Sequence, residues 1–85
     1  MEFIYPTQGL KIFIPRDHTG ELTRVVSEVV HRNPSKKIFW HLDEKYITTT
    51  KFIHQIEIFA GAGTHVLIAV DEDGNMINCL FNIIL

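Results

Sequence analysis

Cysteine, glycine and basic residues are each scarce or absent over long stretches of this 85-residue chain, and each gap excludes something. The single Cys79 rules out a disulfide framework, and one unpaired thiol suits a reducing compartment better than secretion. No stretch approaches the ~20 apolar residues of a transmembrane helix. The opening MEFIYPTQGL holds neither a basic n-region nor a continuous apolar h-region, so no leader and no membrane partner is expected. A net charge of −2 leaves no global electrostatic case for nucleic acid. No internal repeat, low-complexity stretch or linker appears. The chain does have 46% hydrophobic residues, 11% aromatics and 21% charged residues, too apolar a mixture for intrinsic disorder. A domain this small buries only ~60–65% of its unfolded surface, so every apolar face must be used. These absences lead us to expect one cytoplasmic domain over residues 1–85.

Charge is also uneven along the chain. Residues 1–51 hold all eight Lys and Arg against six acids, a net +2, whereas residues 52–85 hold four acids and no base, a net −4. This is either ordinary surface scatter or a mildly basic face built from the first half.

Leu10–Ile14, bounded by Gly9 and Pro15, reads as a strand. Leu22, Val25, Val26, Val29 and Val30 fall at helical spacing and predict a helix, with Thr19 as N-cap and Pro34 forcing the stop. Lys37–Leu42 alternates with Ile38, Trp40 and Leu42 on one side, and the polar Asp43-Glu44-Lys45 turns it into a hairpin with Tyr46–Thr48. Thr48-Thr49-Thr50 offers a cap for a second helix carrying Phe52, Ile53, Ile56, Phe59 and Ala60 on one face, although Ile56-Glu57-Ile58 also fits a strand. His65–Val70 reads as a buried strand. The tail has two readings. Ile77, Leu80, Phe81, Ile84 and Leu85 lie at helical spacing, while Asp73-Gly74 signals a hairpin that would make Met76–Leu85 a last strand. With the tail taken as helix, the order is β-α-β-β-α-β-α, an α+β two-layer sandwich.

At this length, that order resembles HPr, the phosphocarrier family of the sugar phosphotransferase system. The family carries a Thr-Gly-aliphatic-His-Ala-Arg-Pro stretch where its first strand enters its first helix. The corresponding residues here are Thr19-Gly20-Glu21-Leu22-Thr23-Arg24-Val25, in which Thr19, Gly20 and Arg24 match. The turn at Ala60–Gly63 and the acidic Asp71–Asp73 extend the likeness toward the C-terminus. The resemblance implies an open-faced β-sandwich, with a four-stranded antiparallel sheet and three helices on one face. It also implies loss of phosphotransfer, because Leu22 stands where the family has its reactive histidine. The implied protein is a non-enzymatic regulatory or protein-interaction module. It would meet a protein partner or an anion through His18, Thr19, Gly20, Arg24 and Thr50.

Each of these residues also has a plainer reading. His18 is an exposed loop histidine unless the chain folds back to bring it into the lost nucleophile's place. Arg24 is a solvated side chain paired with Glu21 or Glu28. Thr50 is a helix cap rather than a regulatory phosphorylation site, a position to which Lys51 aligns equally well. A ferredoxin-like small-ligand-binding regulatory domain acting as a dimer is the alternative fold and function, and a hairpin at Met76–Leu85 would favour it.

No further chemistry is expected. His18, His31, His41, His54 and His65 are scattered, with no i, i+4 pair and no Cys-x-x-Cys, so no metal and no cofactor is predicted. Ala60-Gly61-Ala62-Gly63 follows a predicted helix instead of opening one, which is the wrong setting for a phosphate loop. Trp40 shares the core-facing side of its strand. Met76–Leu85 carries no charge, and the part of it left outside the core could form an apolar patch for a homodimer or a protein partner.

Overall fold

A computed structural model describes residues 1–14 and 22–84. They form eight strands: β1 (Glu2–Tyr5), β2 (Leu10–Phe13), β3 (Thr23–Val30), β4 (Ile38–Leu42), β5 (Lys45–Thr50), β6 (Gln55–Ala60), β7 (Gly63–Asp71) and β8 (Met76–Ile84). One sheet has the order β1-β3-β6 and the other β2-β8-β7-β4-β5. All neighbours are antiparallel except β2, which runs parallel to β8. The chain crosses from the first sheet to the second through the buried Pro6, whose carbonyl accepts the Cys79 thiol at 3.2 Å. The core lies between the sheets. Val25, Val29, Ile56, Ile58 and Ala60 come from one side, and Ile38, Trp40, Leu67, Ala69, Phe81 and Ile83 from the other. Phe3 meets the Trp40 ring edge-on at 6.4 Å, a favoured aromatic geometry.

This architecture overturns the α+β reading and its HPr-like and ferredoxin-like forms, for no described residue is helical. Residues 23–30 form a strand because their valines are stiff at χ1 and pack better on a pleated surface than on a helix. Val25, Ser27 and Val29 point into the core, while Arg24, Glu28 and Val30 are exposed. In place of the second helix, residues 55–60 alternate strictly, with Ile56, Ile58 and Ala60 buried. The tail is the hairpin strand: Asp71–Asn75 turns the chain with Gly74 at φ +87°, and Ile77, Cys79, Phe81 and Ile83 face inward. The β4–β5 hairpin has the expected inward set Ile38, Trp40 and Leu42.

Candidate functional site

Of the five residues assigned to the partner- or anion-binding site, the structure describes two, Arg24 and Thr50, and these lie in different sheets. His18, Thr19 and Gly20 lie outside the described residues. Arg24 is exposed on the outer face of the three-stranded sheet and pairs with Glu57 on β6; Glu21, one of its expected partners, lies outside the described residues. That carboxylate raises the Arg24 pKa, and the guanidinium lowers that of Glu57.

Thr50 lies in the other sheet and caps no helix. Its Oγ1 accepts the indole N–H of the fully buried Trp40 at 2.9 Å and lies 2.7 Å from His54 Nδ1. His54 Nε2 sits 2.9 Å from the Pro34 carbonyl, which can only accept, so Nε2 carries a proton. The Thr50 hydroxyl then donates to Nδ1, and all three bonds run in one direction from Trp40 to Pro34. A second cluster closes the same end of the sandwich. The Asn33 amide donates to His31 Nδ1, leaving Nε2–H to donate to Asp71 at 3.0 Å. Asp71 also accepts the backbone amides of Asp73 and Asn75. The His31 bond, reinforced by those donors against the effect of burial, holds its carboxyl well below the ordinary range. These histidines are structural, and among the described residues no three His, Cys, Asp or Glu side chains gather to hold a metal.

The feature with no structural task is the outer face of the five-stranded sheet. Because Leu67 and Ala69 point inward, β7 turns Val66, Ile68 and Val70 outward. Their cross-strand partners on β8 are Leu80, Asn78 and Met76. On β4, Phe39 and His41 stand beside Val70 and Ile68, and the Tyr46 ring packs edge-on to His41 at 5.7 Å. No charged side chain interrupts these positions on β4, β7 and β8. Met76 is 59% exposed and Leu80 40%.

A charged clamp stands at one end of this face. His65 Nδ1 lies 2.6 Å from Asp43 Oδ2, and Nε2 lies 2.7 Å from the Gly61 carbonyl. Both partners are acceptors, so both ring nitrogens must donate and the ring is an imidazolium. Burial alone would lower the His65 pKa, but the bonds to Asp43 and Gly61 outweigh it and raise the value. Asp43 is lowered in turn: burial pushes it up, and His65 and the Val66 amide pull it further down. The clamp fastens a turn in which Asp43 and Glu44 both have left-handed backbone, φ 50° and 71°, a conformation that costs L-residues roughly 1–2 kcal/mol each. Beside it, Asp43, Glu44, Val66 and Ile68 line an open cavity of about 330 Å³.

A sandwich whose second sheet carries an uncharged outer stretch on β4, β7 and β8 can now be set against known proteins. Residues 1–83 match the model of the penicillin-binding protein C-terminus family. The chain belongs to that family. No curated protein matches it. Among solved structures, fibronectin(III)-like modules of Clostridium thermocellum CbhA superpose with a TM-score of 0.62 at 15% identity, over 99% of this chain and 93% of theirs. At that identity the likeness concerns the fold alone.

Membership of the penicillin-binding protein C-terminus family replaces the HPr resemblance, which rested on the predicted element order, three matched residues, the Ala60–Gly63 turn and the acidic Asp71–Asp73. The uncharged face had a visible signal, the charge-free Met76–Leu85, but its alignment with β7 and β4 did not. The His65–Asp43 clamp left no local signal, since 22 residues separate its members.

Proposed function

We propose that this domain is a non-catalytic accessory module of a penicillin-binding-protein-type chain that docks on a protein partner through the outer face of its five-stranded sheet. The uncharged stretch across β4, β7 and β8 is the observation that carries this reading. A solvated antiparallel sheet normally alternates apolar-in with polar-out, and contiguous apolar surface marks interaction sites. Family membership supports the accessory role.

The test uses single cysteines in the full-length protein, where buried Cys79 serves as the silent background. Ile68→Cys on the proposed face is compared with Val26→Cys on the outer face of the opposite sheet. In the native assembly, Ile68→Cys is expected to resist a thiol reagent that labels Val26→Cys, and to label once the domain is isolated. Equal labelling of both positions in the assembly would overturn the proposal.

A further inference from the structure

Strand β8 is nine residues long, but β2 runs beside only its last four, Phe81–Ile84. The bonds at Leu80 show which way the remaining backbone groups point. The Gly9 amide donates to the Leu80 carbonyl at 2.7 Å, and the Leu80 amide donates to the Gln8 side-chain carbonyl at 3.0 Å. Both Leu80 groups therefore face away from β7. In an antiparallel pair, residues that exchange bonds with the neighbour alternate with residues whose backbone groups face the other side. Met76 and Asn78 thus share the orientation of Leu80. No strand stands beside them, because β1 stays in the first sheet up to Tyr5 and β2 begins at Leu10. Among the described residues, neither their amides nor their carbonyls find a hydrogen-bond partner on that side.

This slot differs from the outer edges of the two sheets. Strand β1 carries Glu2 and runs into Pro6, β2 carries Lys11, and β6 carries Glu57. Strand β5 is bulged between Tyr46 and Thr48. Charge, proline and bulges are the devices that keep an edge from pairing, and Met76-Ile77-Asn78 has none of them. One step along β8, the Gln8 carboxamide already completes the edge as a strand residue would. Met76 and Asn78 are both exposed on the uncharged outer face, so a segment added beside them would extend that face.

We propose that an extended segment of the protein partner adds to β8 at Met76–Asn78, its backbone pairing with the amides and carbonyls of both residues. This rests on the docking reading above and names what the partner presents. The chemistry of the slot selects the occupant. Two amides and two carbonyls along one strand are matched by another peptide backbone, whereas a lipid tail offers no hydrogen bond. Gln8 and Gly9 close the Leu80 end, so the added segment is short. The β8 of a second copy does not fit: in antiparallel pairing its Gly74–Asn75 turn would meet Gln8, and in parallel pairing its own Gln8 would.

Proline at position 78 tests the proposal in the full-length protein carrying Ile68→Cys. The Asn78 amide faces away from β7, so Asn78→Pro removes the donor offered to the partner and no bond within the domain, and edge positions tolerate proline. In the native assembly, Ile68→Cys should then react with the thiol reagent about tenfold faster than it does beside Asn78→Ala, which trims the same side chain but keeps the amide. Thermal unfolding verifies that both variants fold. Amide exchange of the unsubstituted protein gives a second reading: Asn78 should exchange about tenfold more slowly in the assembly than in the isolated domain. Equal labelling of the two variants, or equal exchange in the two settings, would overturn the proposal. So would exchange in the isolated domain that slows with concentration, for the occupant would then be a second copy. Where Ile68→Cys alone still resists the reagent, such a failure leaves the docking reading standing. Where it labels freely, both fall.

Discussion

Replacing Thr50 by valine removes a single oxygen from a strand-end residue and keeps the β-branched shape that strands favour. That oxygen accepts from Trp40 Nε1 and donates to His54 Nδ1. Trp40 is fully buried and His54 is 5% exposed, so water cannot replace the lost partner. A buried donor or acceptor left unpaired costs about 1–3 kcal/mol, and Thr50→Val strands one of each, about 2–6 kcal/mol in all. A domain of this length has a total stability of about 4–13 kcal/mol, so the variant should lose a large part of it. At roughly 4–8 °C per kcal/mol, the melting temperature should fall by ~10 °C or more. Trp40 is the only tryptophan, so urea unfolding followed by its fluorescence reads the affected group directly. Two controls locate the effect. Thr50→Ser keeps the hydroxyl and should cost only about 1 kcal/mol for its methyl. Thr49→Val, whose hydroxyl bonds to Tyr46 at the surface, should stay within about 0.5 kcal/mol. If Thr50→Val is as stable as Thr49→Val, the relay does not hold the end of the sandwich.

Two further outcomes are expected. The raised His65 pKa gives the clamp its full stabilising effect below the unfolded value of about 6.5, and the effect is lost as pH rises through the folded value. The lowered Asp43 acts oppositely, contributing above about 3.9 and losing its contribution as pH falls through its folded value. Urea midpoints across that range should show an alkaline decline that His65→Gln removes; an unchanged decline would count against the clamp. Cys79 is 2% exposed and burial pushes its thiol up, so a thiol reagent should modify it only as fast as the domain opens. Rapid modification of the folded protein would contradict the packing of β8 against Pro6.

The β4–β5 hairpin and the two strands Leu10–Phe13 and Gly63–Asp71 were legible because their apolar and polar residues separate cleanly or their turns are explicit. Strand β3 was not, and the reason is local. Its core-facing row includes Ser27, a buried hydroxyl with no partner, while its outer row includes Val26 and Val30. A polar residue inside and apolar residues outside erase the period of two. The remaining valines also satisfy a helical stripe, and sheet pairing with β1 and β6 then decides the conformation. The resemblance to HPr inherited that error, since its element order depended on a helix over these residues. Of its three matched positions, the one described here, Arg24, is engaged with Glu57 on a neighbouring strand, 33 positions away.

The misreading of β8 and the candidate site share one cause. Ile77, Leu80, Phe81 and Ile84 look helical because Leu80 and Ile84, on the outer row, are as apolar as the inner row. In a sheet that meets only water those positions would be polar, as Gln55 and Glu57 are on β6 before its outer row ends in the exposed Phe59. Strand β6 shows that this fold makes a stable strand with a partly charged outer row. The neutral outer rows of β7, β8 and β4 are therefore not required to form the sandwich, and they lie side by side instead of scattered. What the strands do not need for folding is available for contact, and the missing charge that hid the last strand in the sequence is the property on which the proposed docking surface rests.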